Sequence, residues 1–345
     1  MSTACFTSFS FGYLARARVL AQTLKAAHPD WELWALLVDE APDGVDVAAE
    51  LADFDHVMPA SALDIAGFAG WLFRHDIVEA CTAVKGTMLE FLLARGAARV
   101  VYLDPDIAVF HPLEPVERAF ADHSIVLTPH QTAANADARA MRDNELTSMQ
   151  YGIYNLGFLG VRNDVDGRAF AAWWAAATRR ACYDDVSAGL FTDQKYCDLV
   201  PGLFGGVRVE RDPGCNVASW NLSARRLRFA PDGSVFSNGE RLRFYHFTKI
   251  DGAGDAMTER YAGGNVEVYE LVNWYRRLVR DNASAAAALP WHYGRFADGT
   301  PISRAVRLLW RAKTDLWGVF ADPFAAGEDS FLAWVRHNIP SLLTA

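Results

Sequence analysis

Cysteine is scarce in this chain of 345 residues: there are five, Cys5, Cys81, Cys182, Cys197 and Cys215, and no two form a C-x-x-C pair. Odd in number and scattered, they exclude a disulfide framework and a zinc knuckle and fit reduced, mostly buried thiols. No apolar run reaches the roughly 18 residues that a spanning helix needs. The opening, MSTACFTSFSFG, lacks the basic stretch and long apolar core of a secretory leader, so a cytoplasmic protein is expected. Positive charge is in deficit, with 33 Lys and Arg against 42 Asp and Glu and a net charge of −9. That balance gives no global attraction to nucleic acid, which is not expected as a partner. Internal repeats are absent, and the only low-complexity stretch is a short Ala-rich run at 283–288.

What the chain does have is apolar content, 51% of residues, enough for a large core in one large domain or two. Its first half alternates strand-like runs with helical patterns. Strands are expected at 3–9, 32–39, 54–58, 98–104 and 124–129, and helices at 13–27, 45–53 and 71–95, the last ending at Gly96. Such alternation predicts a mostly parallel sheet with helices on both faces. The second half mixes types: a strand at 153–161, a helix over 168–181 carrying Trp173 and Trp174, and a short helix starting near Asp193. Strands and turns fill 207–248, with D-G at 232–233 and N-G at 238–239, and the chain turns helical from 267 apart from an irregular connector at 288–301.

The stretch VVYLDPDIAVF (100–110) ends a strand on two aspartates separated by a proline. In open α/β sheets ligands bind beyond the carboxyl ends of the strands. Asp104 sits at such an end, and Pro105 breaks the ladder there. Two carboxylates this close repel unless a cation lies between them. Hard oxygen ligands suit Mg²⁺ or Mn²⁺ bridging to nucleotide phosphates. The bland alternative is a solvated strand-terminating turn. In LRFYHFTKIDG (242–252), His246 offers an imidazole suited to Mn²⁺ and Lys249 a point charge for a phosphate, whereas a histidine among aromatics also reads as packed core.

The ordered set CTAVKGTMLEFLL (81–93), VVYLDPDIAVF, IVLTPH (125–130), YNLGFLGVR (154–162), GLFTDQKYCDLVPGLF (189–204), DPGCNVASWNL (212–222), LRFYHFTKIDG and YGRFADGTPISRAVRLLWR (293–311) resembles bacterial glycosyltransferases of the GT-A fold. These are related to the glycogenin and lipopolysaccharide galactosyltransferase family. The resemblance covers most of residues 1–312. It implies a GT-A catalytic domain over 1–265, with a donor-binding half at about 1–130 and an acceptor-side half at about 131–265, and a helical extension over 266–345. The implied partners are a nucleotide-sugar donor and a glycan, lipid-linked or protein acceptor, in surface polysaccharide, lipopolysaccharide or protein glycosylation.

The same resemblance implies roles for single residues. Asp104 and Asp106 match the family's D-x-D, and His246 its C-terminal metal-binding histidine, with Mn²⁺ or Mg²⁺ as cofactor. Lys249 lies where a phosphate contact is expected. Thr7, Ser8, Tyr13 and Asp39 would line the base and ribose, and Lys85 would face the donor's ribose, phosphate or sugar. Asn155 and Gly157 match an asparagine and a small residue near the donor sugar. Asp193 and Gln194 match a D-Q pair beside the anomeric carbon, Asp193 as base if the enzyme inverts, Gln194 as polar neighbour if it retains. Each has a structural alternative: Asp39 as a strand-end turn residue, Lys85 as a solvated helix lysine, Asn155 as a strand-edge hydrogen-bonder, Asp193 as a helix N-cap.

Two departures qualify the match. FTSFSFGY replaces the family's aspartate-containing, uracil-reading opening, which leaves UDP, GDP and dTDP open with a UDP-sugar favoured, and H-F-T-K-I-D-G replaces H-x-x-G-x-x-K-P-W. A sugar-nucleotide nucleotidyltransferase is the enzymatic alternative, disfavoured by the single glycine and missing lysine of FTSFSFGYLAR. A non-catalytic nucleotide-sugar-binding protein is the other. In RAVRLLWRAKTDLW (304–317), Arg304, Arg307, Arg311 and Lys313 interleave with Leu308, Leu309, Trp310 and Trp317. Such a helix reads either as packed on the core or as resting on the inner face of an anionic membrane.

Overall fold

A computed structural model describes residues 2–343. The first seven strands are β1 (Thr3–Phe9), β2 (Glu32–Leu37), β3 (His56–Pro59), β4 (Arg99–Leu103), β5 (Ile107–Val109), β6 (Ile125–Pro129) and β7 (Tyr154–Arg162). After them come β8 (Asp184–Asp185), β9 (Leu190–Phe191), β10 (Val207–Val209) and β11 (Val217–Ala218). The last are β12 (Leu227–Phe229), β13 (Val235–Ser237), β14 (Glu240–Arg241) and β15 (Phe244–His246).

A seven-stranded sheet in the order β10-β6-β7-β4-β1-β2-β3 forms the centre. β7 runs antiparallel to both β4 and β6, and the remaining pairings are parallel. This is a mixed α/β fold with a mostly parallel central sheet flanked by helices, as the alternation predicts. β1 is buried along its whole length, which is why TACFTSF shows no polar alternation. One face packs on helices Ile77–Ala83, Lys85–Ala94 and Val165–Arg180, the other on Leu14–Ala27. Gly86 permits two of these helices to approach closely: a Cβ there would lie 2.6 Å from the Ala175 Cα. Trp174, fully buried in this layer, is core.

The pattern read as one helix over 71–95 is three helices, Phe68–Leu72, Ile77–Ala83 and Lys85–Ala94. Asp76 interrupts it as the N-cap of a reciprocal capping box with Glu79, a local bond set that outcompetes continuous helix. The D-G and N-G turns join β12-β13-β14 as expected, and Asn238 and Gly239 both take positive φ.

Two arrangements place the site. Asp104 to Ile107 form a turn closed by the Ile107 N–H on the Asp104 carbonyl, 3.1 Å, with Pro105 at the position proline favours. A small sheet, β11-β15-β5, then pairs His246 with Ile107, so His246 stands beside that turn.

Toward the carboxyl end, the helix Arg304–Ala312 packs on the rest of the chain. Arg307 is buried and donates to the carbonyls of Phe73 and Tyr293, Arg304 pairs with Asp76, and Arg311 pairs with Glu79. Of the two readings of this helix, these arginines support the packed one, because their charges face protein partners. Among the described residues no helix is long and apolar enough to cross a membrane. The five cysteines are unpaired, and burial pushes the Cys81 thiol up to about 12.

Candidate active site

Asp104, Asp106 and His246 converge at the carboxyl edge of β4. Each offers one ligand atom, and these atoms lie within 4.8 Å of one another, the one such group among the described residues. His246 Nε2 stands 3.0 Å from Asp106 Oδ1 and 3.6 Å from Asp104 Oδ2. Its other nitrogen, Nδ1, lies 3.2 Å from the Asn155 side-chain oxygen. That oxygen also accepts from Asn216 Nδ2 at 3.1 Å and the Gly157 N–H at 3.3 Å. The Gly157 N–H can only donate, which identifies the Asn155 atom as the oxygen, so Nδ1 carries a proton and Nε2 is the nitrogen turned to the carboxylates. Gly157 is the seat for this ring: a Cβ there would lie 2.5 Å from His246 Cε1.

Behind the acidic pair lies Lys85, which is buried rather than solvated. Its ammonium is 3.3 Å from Asp104 Oδ1, 3.1 Å from Asp193 Oδ2 and 3.1 Å from the Leu156 carbonyl, and it sits 4.1 Å from the centre of the Tyr102 ring. Burial alone would lower the lysine, but the carboxylates of Asp104 and Asp193 outweigh it and hold it well above the usual range. Burial dominates for Asp193 and raises its carboxyl despite Lys85. Burial also works against the charged forms of His246 and Asp106. Their mutual attraction outweighs it, raising the imidazole and lowering the carboxyl.

Asp193 does not cap a helix; the N-cap position of the short 3-10 helix Lys195–Leu199 belongs to Gln194. The chain reaches Asp193 through Thr192, a β-branched residue at φ 45°, in the region such side chains disfavour. Gln194 Oε1 accepts from the Leu156 N–H at 3.2 Å, and its Nε2 donates to the Tyr151 carbonyl at 3.0 Å. Ser8 joins the cluster through the Tyr102 hydroxyl, 3.3 Å away, while the neighbouring Thr7 hydroxyl is buried with no hydrogen-bond partner.

Other expected residues stand further out. Tyr13 is 42% exposed, and burial first, then the charge of Asp106, raises its hydroxyl. Asp39 accepts three backbone N–H groups, those of Phe11, Glu40 and His292, and so ties the loop after β1 to the connector near residue 292. Lys249 is exposed at φ 50° in the turn after β15, with no side-chain bond to the cluster.

Sequence reasoning missed Tyr102, Asn216 and Arg16, and it read Trp220 as core rather than as a sugar platform. Tyr102 donates to Asp104 Oδ1 at 2.5 Å, and alternation along β4 puts the two on one face. Arg16 packs over Tyr13 and lowers the Asp106 carboxyl by its charge. Trp220 stands edge-on to His246 with ring centres 5.2 Å apart. Nothing local in the sequence marks Asn216; β15 and its neighbours bring it and Trp220 in.

The donor set fits a divalent cation. Two carboxylate oxygens and an imidazole nitrogen suit a divalent ion, and the ring's second nitrogen is already fixed by a hydrogen bond, as metal-binding histidines require.

No family model matches the chain. It is 26% identical over 250 residues to the uncharacterized protein YfnF of Bacillus subtilis (strain 168), a span covering 72% of this chain and 82% of YfnF. To YfnD of the same bacterium it is 29% identical over 181 residues, 49% of this chain and 53% of YfnD. Among solved structures it is similar to the galactosyltransferase LgtC in complex with donor and acceptor sugar analogs, with a TM-score of 0.48 and 18% identity, covering 82% of this chain and 97% of that one. The glycosyltransferase GlyE of Streptococcus pneumoniae TIGR4 gives a TM-score of 0.48 at 12% identity, covering 86% and 66%. Mouse xyloside xylosyltransferase 1, in its apo form, gives 0.43 at 10% identity, covering 72% and 98%.

Proposed function

We propose that the chain is a metal-dependent GT-A glycosyltransferase that moves a sugar from a nucleotide-sugar donor, a UDP-sugar by preference, to an acceptor hydroxyl on a glycan, lipid-linked glycan or protein. The observation that carries this reading is the Asp104, Asp106 and His246 cluster at the carboxyl edge of β4, backed by a buried lysine. A divalent cation held there supplies charge neutralisation for a departing diphosphate. On this reading residues 1–265 form the catalytic unit and 266–345 a helical extension upon it.

The chain's own residues divide the work. Asp104, Asp106 and His246 hold the cation, and Asn155 fixes the His246 tautomer through the 3.2 Å contact. Lys249 and Arg16 supply positive charge for the phosphates. Thr7, Ser8, Tyr13 and Asp39 line the base and ribose; the unpartnered Thr7 hydroxyl is a polar atom for that purpose. Lys85 neutralises Asp104 and Asp193 from below. What supports retention of anomeric configuration is that the Asp193 carboxylate is buried and ion-paired to Lys85, which withholds it from an acceptor as a base. Gln194 then serves as the polar group near the anomeric carbon. The natural setting is synthesis of surface polysaccharide, lipopolysaccharide or glycoprotein in the cytoplasm.

The test is a panel of UDP-, GDP- and dTDP-sugars incubated with the protein in Mn²⁺ and in EDTA. One donor should be hydrolysed in Mn²⁺ and spared in EDTA, and Asp106→Ala should abolish the difference. Equal rates in Mn²⁺ and EDTA would contradict the reading.

A further inference from the structure

We infer that Tyr102 is a positioning residue of the acidic cluster: its hydroxyl fixes the Asp104 carboxylate so that Oδ2 is the oxygen facing His246. The inference rests on the reading of that cluster as a divalent-cation site.

Tyr102 lies in the core with 1% of its surface exposed, its ring packed against Phe6 at 4.9 Å between centres and under the Lys85 ammonium. A phenol has one proton to give. Two oxygens are within reach, Asp104 Oδ1 at 2.5 Å and Ser8 Oγ at 3.3 Å. Ser8 spends its own proton on the Cys81 carbonyl, 2.7 Å away. If Tyr102 donated to Ser8, its lone pairs would face a carboxylate oxygen at 2.5 Å with no hydrogen between them. The proton therefore lies on the Asp104 side, in a charge-assisted bond of the short kind.

Asp104 Oδ1 thus accepts from Tyr102 and from Lys85, while Oδ2 stands 3.6 Å from His246 Nε2. Turning the carboxylate would break both bonds to Oδ1. The carboxylate is therefore held in one orientation, with one oxygen directed to the cluster, as an outer hydrogen bond does for a metal ligand.

Tyr102→Phe keeps the ring, its contact with Phe6 and its face toward Lys85, and removes only the hydroxyl. Mn²⁺ alone is titrated into the full chain, and free Mn²⁺ is read from its electron paramagnetic resonance signal. The variant should bind Mn²⁺ about tenfold more weakly than wild type. In an Asp104→Ala background the same change should have no further effect, since the hydroxyl acts through that carboxylate. Tyr196→Phe, which deletes a half-buried hydroxyl bond to the Ala181 carbonyl, serves as control and should leave binding within about twofold.

Wild-type binding with an unchanged Tyr102→Phe overturns the inference alone. An equal loss in Tyr196→Phe also overturns it, because the effect would then be general loosening. If wild type binds no Mn²⁺, the cation reading falls and the inference with it.

Discussion

Lys85 holds an ammonium between two carboxylates in a water-excluded layer, and its removal is the sharpest single-residue change available. Lys85→Met would leave Asp193, 2% exposed, as an unpaired buried carboxylate. Breaking a buried pair from one side typically costs about 3–5 kcal/mol, so urea denaturation at neutral pH should show a loss of that size. The sign with pH follows from burial raising the Asp193 carboxyl: protonation removes the unpaired charge. The loss should therefore shrink as pH falls toward the ordinary carboxylate range. A loss below about 1 kcal/mol, independent of pH, would mean the pair is not the buried link described here. The sequence showed Lys85 on a helix and Asp193 in D-Q but could not join them. Their 108-residue separation in the chain is closed only by β7 and the helices beneath the sheet.

At the scale of elements, the site depends on β7 passing close under β15. Gly157 on β7 leaves room for the His246 ring, and a Cβ would come within 2.5 Å of its Cε1 and 2.8 Å of the Asn155 side-chain oxygen. Gly157→Ala should push the ring off its bond to Asn155 and weaken Mn²⁺ binding at least tenfold, while far-UV circular dichroism stays that of wild type. Unchanged Mn²⁺ affinity would show that this contact is not needed. Much at this scale was legible: β4 ending on D-P-D, β6, β7, and the strand carrying His246 all stand where apolar runs put them. Legibility failed where a local signal contradicted the longer pattern, as at Asp76, whose capping box breaks the helix read across 71–95. It failed also for Tyr102, although strand alternation offered the clue: two residues before Asp104 on a buried strand is the same face.

For the whole molecule, segments distant in the chain are tied together beside the site. Trp291 donates to the Val38 carbonyl and the His292 N–H to Asp39, so the connector before the carboxyl-terminal helices closes the ends of β1 and β2. Arg307, buried between the Phe73 and Trp291 rings, holds that connector in turn. None of this was legible in the basic pattern of 304–317, because charge spacing does not say whether an arginine faces solvent or a carbonyl. On the proposed function, Asp104, Asp106 and His246 form one half of a site completed by a divalent cation and a nucleoside diphosphate. A melting series with Mn²⁺ alone, nucleotide alone and both together, across UDP, GDP and dTDP, tests it directly. One base with Mn²⁺ should stabilise the protein by about 2.7 kcal/mol at a hundredfold excess over Kd, neither component alone should give most of this, and Asp106→Ala should abolish it. No shift with any combination, or a full shift retained in Asp106→Ala, would contradict it.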